Sequence, residues 1–149
     1  MRRSTILAPL AAAALALGAC GGDETSPEEY RTEARQICQE ADRATERIRQ
    51  PTRSTPEAIA DYFGRLLEPN ERAVRRFEEL DPPGELQDAH DDAIAANRRG
   101  ADEVRRVIRQ LEAGEDPRQV LSGAQTNIRR LTREADRAAD RLGVPECGD

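Results

Sequence analysis

The chain has 149 residues and a formal net charge of −6, and 35% of its residues are charged whereas 3% are aromatic. A chain of this length forms one domain at most. Because Trp is absent, the core must be built mainly from Ala, Leu, Ile and Val. The acidic balance argues against general nucleic-acid binding, which depends on basic side chains that neutralise phosphates. We therefore expect no nucleic-acid partner.

Residues 1–19 have the pattern of an export signal. Arg2 and Arg3 supply positive charge, and an apolar run rich in Ala and Leu follows over 6–17. This run is shorter than the roughly 18 residues that a membrane-spanning helix needs. It ends in Leu17-Gly18-Ala19-Cys20, which resembles the lipobox of bacterial lipoproteins. The resemblance implies that Cys20 is acylated and that the leader is removed just before it.

Under this interpretation, residues 20–25 form a short, flexible, acidic tether between the lipid and the domain. The partner is then the membrane itself, reached through the lipid on Cys20. The expected location is the extracytoplasmic face of the cell membrane. The alternative is a plain secretory peptide that is followed by a chance cysteine.

Cys38 and Cys147 remain once Cys20 is assigned to lipid. Export places both in an oxidising compartment, where disulfides persist. A bond between them would close a loop over nearly the whole folded chain. The alternative is two free thiols or a redox pair, but no C-x-x-C spacing supports redox chemistry. We therefore predict a structural Cys38–Cys147 disulfide.

Two helices are predicted in the first half of the chain, over 27–50 and 56–80. Ser26, Pro27 and Glu29 form a helix start with a capping box. Pro51 is expected to end the first helix. Pro69 falls inside the second and predicts a kink within one continuous helix, with a functional hinge as the alternative. Apolar and small residues recur at steps of three and four along the first helix: Tyr30, Ala34, Ile37, Ala41, Ala44 and Ile48.

Two further helices are predicted over 84–113 and 117–142. Asp81-Pro82-Pro83-Gly84 breaks the chain before the third helix. Gly114 and Gly143 are placed to end the third and fourth helices in the left-handed conformation. Four helices joined by short loops predict an all-α fold, a single up-down-up-down four-helix bundle over 26–149. This topology brings Cys147 near the first helix, in agreement with the predicted disulfide.

Three features together resemble small helical lipoproteins of high-GC Gram-positive bacteria. They are the capped first helix that carries Cys38, the segment Leu80-Asp81-Pro82-Pro83, and the closing Leu142-Gly143-Val144-Pro145-Glu146-Cys147-Gly148. The resemblance implies a lipid-anchored bundle outside the cytoplasmic membrane. The resemblance does not imply catalytic residues in this chain.

The candidate ligand site lies around His90, the only histidine. A metal site needs several converging ligands, and the Glu-x-x-His motif of di-iron bundles fails because Gln87 stands three residues before His90. No metal or other cofactor is therefore expected. Asn97 lies on the apolar stripe of the third helix, where it would fix the packing register. Alternatively, it lines a ligand pocket together with His90, Tyr30 and Tyr62.

The fourth helix carries arginines at helical spacing: Arg130, Arg133, Arg137 and Arg141. They predict a positive face that meets an anionic partner, although such charge runs are usually solvated surfaces. No catalytic motif occurs in the sequence, so we expect no enzyme. The predicted function is a non-catalytic interaction or structural lipoprotein that binds an envelope protein or a cell-wall component. The alternative is a carrier that holds a small ligand between its helices.

Overall fold

A computed structural model describes residues 25–148. They form α1 (Pro27–Glu46), α2 (Pro56–Glu78), α3 (Gln87–Glu112) and α4 (Pro117–Leu142), with short 3₁₀ turns at Gly84–Leu86 and Pro145–Cys147. No strand occurs within this range. The predicted all-α fold of four packed helices is therefore confirmed. The predicted signal peptide, the lipobox with Cys20, and all but the last residue of the tether lie outside the described residues.

The helix ends follow from capping chemistry. The Ser26 hydroxyl accepts the backbone N–H of Glu29, whose carboxylate accepts the backbone N–H of Ser26 at 3.0 Å. This is the predicted capping box. At α4, Oδ1 of Asp116 accepts the N–H of Gln119 at 3.1 Å. Gly143 ends α4 with φ of +76°, a conformation that favours glycine because other residues carry a Cβ.

Neighbouring helices run antiparallel, as their ion pairs show. Residue numbers fall along one helix as they rise along the next: Glu78–Arg98 and Glu71–Arg105 join α2 to α3, and Asp92–Arg141 and Arg99–Glu134 join α3 to α4. Tyr30, at the start of α1, shares a core cluster with Leu80, which follows the end of α2. The chain therefore goes up and down through consecutive neighbours.

Most of the buried core residues form two clusters at opposite ends of the bundle. The upper cluster contains Tyr30, Ala34, Leu86, Ala89, Ala93, Ala138, Leu142 and Val144. The lower cluster contains Ala60, Val107, Leu111, Val120 and Ala124. Among the described residues, α1 contributes to the upper cluster and not to the lower one. The lower half of the bundle is thus held mainly by α2, α3 and α4.

The largest differences from the predicted helix boundaries are at the end of the first helix and the start of the third, whereas α2 and α3 end within two residues of their predictions. The first helix ends at Glu46 rather than near Gln50, because Pro51 disfavours the helical conformation at Gln50 and the mostly exposed residues 47–50 gain little packing energy from continuing the helix. A 3₁₀ turn occupies 84–86, so α3 proper begins at Gln87. By contrast, α2 continues unbroken through the buried Pro69, as predicted for a single helix.

The two remaining cysteines are paired. The Sγ atoms of Cys38 and Cys147 lie 2.07 Å apart and their Cα atoms 5.3 Å apart, across 109 residues of sequence. The predicted disulfide is therefore confirmed. It ties the middle of α1 to the turn that follows α4, and α1 packs against that turn as well as against α2.

Candidate functional site

A cavity of about 460 Å³ lies between the upper and lower clusters. Its lining includes Phe77 and Leu142 at the upper cluster and Phe63 and Ile128 at the lower cluster. All four helices contribute to it, and Cys38 and Cys147 line it on the side of the disulfide. Its volume falls in the range of 300–1,000 Å³ that is typical of small-molecule sites.

The cavity arises because large side chains on one helix face small ones on the others. From α2, the lining residues Phe63, Leu66, Leu67, Val74 and Phe77 are all only partly buried. The other helices supply large residues such as Ile94, Ile128 and Leu131, but also several small ones: Ala41 of α1, Ala93, Ala96, Gly100 and Ala101 of α3, and Ala135 and Ala139 of α4. Alanine and glycine cannot fill the space that a close-packed core would occupy. The result is an apolar chamber.

A few polar groups interrupt the apolar lining. The Asn97 amide donates to the carbonyl of Ala93 at 3.0 Å, and the Asn70 amide donates to Oδ1 of Asn97 at 3.5 Å. Asp42 and Asp136 also line the cavity. Such sparse polar groups on an apolar wall are the features that orient a ligand.

Among the polar residues of the lining, Asp136 has a buried oxygen atom, Oδ1, that no described residue pairs with. The chain end packs closely on it: a Cβ added at Gly148 would lie 3.0 Å from the Asp136 Cα atom. A buried acceptor without a donor is costly, and because Oδ1 is closed off from the cavity as well as from solvent, a ligand would meet Asp136 through the charge of its carboxylate.

Tyr30 and His90 form a buried pair in the upper cluster rather than part of the cavity lining. The Tyr30 hydroxyl and Nδ1 of His90 are hydrogen-bonded at 2.9 Å, and the two rings meet edge to face. The hydroxyl donates when the imidazole proton is on Nε2. Burial raises the pKa of Tyr30 to about 12. Burial also lowers the pKa of His90, although the charge of Asp91 opposes that shift.

The structure does not bring the four side chains of the predicted pocket together in this cavity. Asn97 lines the cavity, whereas Tyr30 and His90 lie above it, bonded to each other. Tyr62 lies near the start of α2, beside Phe63 with ring centroids 5.9 Å apart. Because α2 is antiparallel to α1, the starts of the two helices lie at opposite ends of the bundle. Tyr30 and Tyr62 therefore cannot share one pocket.

The His90 pair predicts a loss of stability at mildly acidic pH. The unfolded chain binds a proton at His90 near the usual pKa of about 6.5, whereas the folded protein resists it because burial lowers the pKa. The stabilisation is complete above pH 6.5 and is lost as the pH falls toward the lower pKa of the folded state. Thermal melts between pH 7.5 and pH 5.5 measure this slope. His90→Gln should flatten it, and an equal slope in that variant would refute the assignment.

The arginines on α4 do not form a uniform positive face. Arg130 pairs with Glu134, and Arg141 pairs with Asp92 at 2.6 Å. Arg133 and Arg137 are exposed and make no ion pair within 25–148. Since two of the four charges are neutralised by neighbours, this face offers less attraction to an anionic partner than the sequence predicts.

Sequence reasoning missed Asn70 and Asp136 as cavity-lining residues. The signal for Asp136 was its place in a row of residues at helical spacing on α4, all of which line the cavity: Ile128, Thr132, Asp136 and Ala139.

The described helices include none that is long and apolar enough to cross a membrane. In the same part of the chain, no group of three potential metal ligands comes together. No protein-family model, curated protein or solved structure matches the chain.

Proposed function

We propose that this protein is a non-catalytic binding protein, anchored by lipid at the outer face of the cell membrane, that holds a small apolar ligand in its central cavity. The cavity is the observation that carries the proposal, because its volume and apolar lining suit a small molecule. Of the two functions expected from the sequence, an interaction protein and a small-ligand carrier, the cavity favours the carrier. Binding to an envelope protein through the α4 arginines has less support, because Arg130 and Arg141 are already paired.

The proposed location rests on the leader and the disulfide. The sequence Leu17-Gly18-Ala19-Cys20 follows an apolar run of signal-peptide length. The Cys38–Cys147 bond supports export, because disulfides persist outside the reducing cytoplasm. A tether of a few residues would then hold the cavity close to the bilayer.

Filling the cavity should abolish ligand binding. Ala135→Leu adds a larger side chain to the cavity wall, and Ala95→Leu makes the same change on α3 outside the lining. The neutral fluorophore N-phenyl-1-naphthylamine brightens in apolar sites and serves as the probe. We expect Ala135→Leu to weaken probe binding at least about tenfold, with stability kept or raised because empty space is filled. Equal probe affinity in both variants, or no binding to the native protein, would overturn the carrier function.

Anchoring is tested separately from binding. Replacing Cys20 by Ala removes the only proposed attachment point, so the protein should leave the membrane fraction or keep its leader uncut. Fractionation with an antibody to the domain, and the mass of the chain, measure both results. Normal membrane attachment and processing of the Cys20→Ala variant would refute the lipoprotein assignment while leaving the cavity function standing.

A further inference from the structure

The charged groups that line the cavity are of one sign. Asp42 and Asp136 are part of the lining, whereas no arginine or histidine among the described residues is, although the chain contains 23 arginines. The arginines of α4 that do pair, Arg130 and Arg141, pair with carboxylates on the outer surface. An apolar chamber with charge of one sign focuses its field on whatever enters.

The two carboxylates lie on the same side of the cavity. Asp42 is one helical turn after Cys38, and Asp136 lies against Gly148, the residue after Cys147. Both therefore flank the disulfide. Asp42 is exposed, whereas Asp136 is half-buried, and its Oδ1 atom has no donor among the described residues. The cavity thus combines apolar walls with two carboxylates on one side.

We infer that the ligand is a cationic amphiphile: an apolar chain or ring system with a protonated amine that lies beside the carboxylates of Asp42 and Asp136. This inference rests on the proposed carrier function and specifies its ligand class. An ammonium group that enters the cavity is attracted by both carboxylates, and a hydrogen bond to either carboxylate would be charge-assisted. A fatty acid or phosphate ester would place its anion beside Asp42 and Asp136, where the described lining residues include no basic side chain to receive it.

Three probes of equal chain length separate charge from apolar binding. Dodecylamine, dodecanol and dodecanoate are compared below their micelle concentrations, at pH 7, as competitors of N-phenyl-1-naphthylamine. The protein is the full chain with Cys20→Ala and its disulfide formed, so that no acyl chain attached to the protein competes for the cavity. We expect dodecylamine to bind about tenfold or more tightly than dodecanoate, with dodecanol between them.

Matched variants locate the charge that causes the preference. Asp136→Asn keeps the size of the side chain and removes its charge, and should reduce the affinity for dodecylamine about tenfold while leaving dodecanol unchanged. Asp42→Asn, at an exposed position, should have a smaller effect in the same direction. Asp140→Asn is the control, since Asp140 is exposed on the same helix, one turn later, outside the lining. Thermal melts verify that each variant is folded.

The outcomes separate failure of the cationic ligand class from failure of the carrier function on which it rests. If the naphthylamine probe does not bind, the carrier function fails and the inference fails with it. If the probe binds but dodecanoate competes as well as dodecylamine, the carrier function stands and the cationic ligand class is wrong. If the preference for dodecylamine survives in Asp136→Asn, the assignment of that preference to the Asp136 carboxylate is overturned.

Discussion

Removal of the Cys38–Cys147 disulfide should lower the free energy of unfolding by about 4–5 kcal/mol. The bond closes a loop across 109 residues of sequence, and in the chain-entropy model a loop of roughly this length restricts the unfolded chain by that amount. The double variant Cys38→Ser with Cys147→Ser avoids a leftover thiol. For a domain of this size we expect its melting temperature to fall by about 10–20 °C.

Reductant supplies the control for this prediction. Adding it to the native protein should reproduce the melting temperature of the double variant, and the variant itself should not respond. Because α1 is absent from the lower cluster, hydrogen exchange should rise first in α1 and the last turn, before α3 and α4. A double variant that melts with the oxidised native protein would show that the bond contributes nothing.

The helices and their ends were predictable because they depend on local chemistry. Ser26 and Asp116 cap through side chains that reach backbone groups two or three residues away, so a short stretch of sequence contains both partners. Gly143 takes the left-handed conformation for the same local reason. The disulfide was predictable because only Cys38 and Cys147 remain to pair once Cys20 is assigned to lipid. The bundle topology also brings these two cysteines to the same end of the molecule.

The cavity was not predictable from helical stripes. A stripe shows which face of a helix turns inward, but it does not show how far the packed side chains reach. The space exists because Phe63, Leu66 and Val74 of α2 face alanines and glycine from three other helices, a pairing that no single helix contains. The contact between Tyr30 and His90 joins residues 60 apart in sequence. Tyr62 lies beside Phe63 near the start of α2, at the other end of the bundle from that pair.

Tyr30→Ala should lower the free energy of unfolding by about 4 kcal/mol, nearly as much as loss of the disulfide. Tyr30 is 1% exposed and is one of the largest fully buried side chains, and replacing a buried aromatic residue by Ala costs about 3–5 kcal/mol through lost burial and the cavity that remains. Its ring also fixes the start of α1 in the upper cluster. Urea unfolding followed by circular dichroism measures the change.

Tyr30→Phe separates the hydrogen bond from the packing. It keeps the ring and removes the hydroxyl, so Nδ1 of the buried His90 loses its partner at 2.9 Å, and we expect a cost of about 1–3 kcal/mol. With His90→Leu in the background, removal of the hydroxyl no longer leaves a buried imidazole unpaired, and the cost should shrink because contacting residues are not additive. If Tyr30→Phe costs as much as Tyr30→Ala, the ring is not what holds α1. If it costs nothing, the buried pair has no share in the stability of the upper cluster.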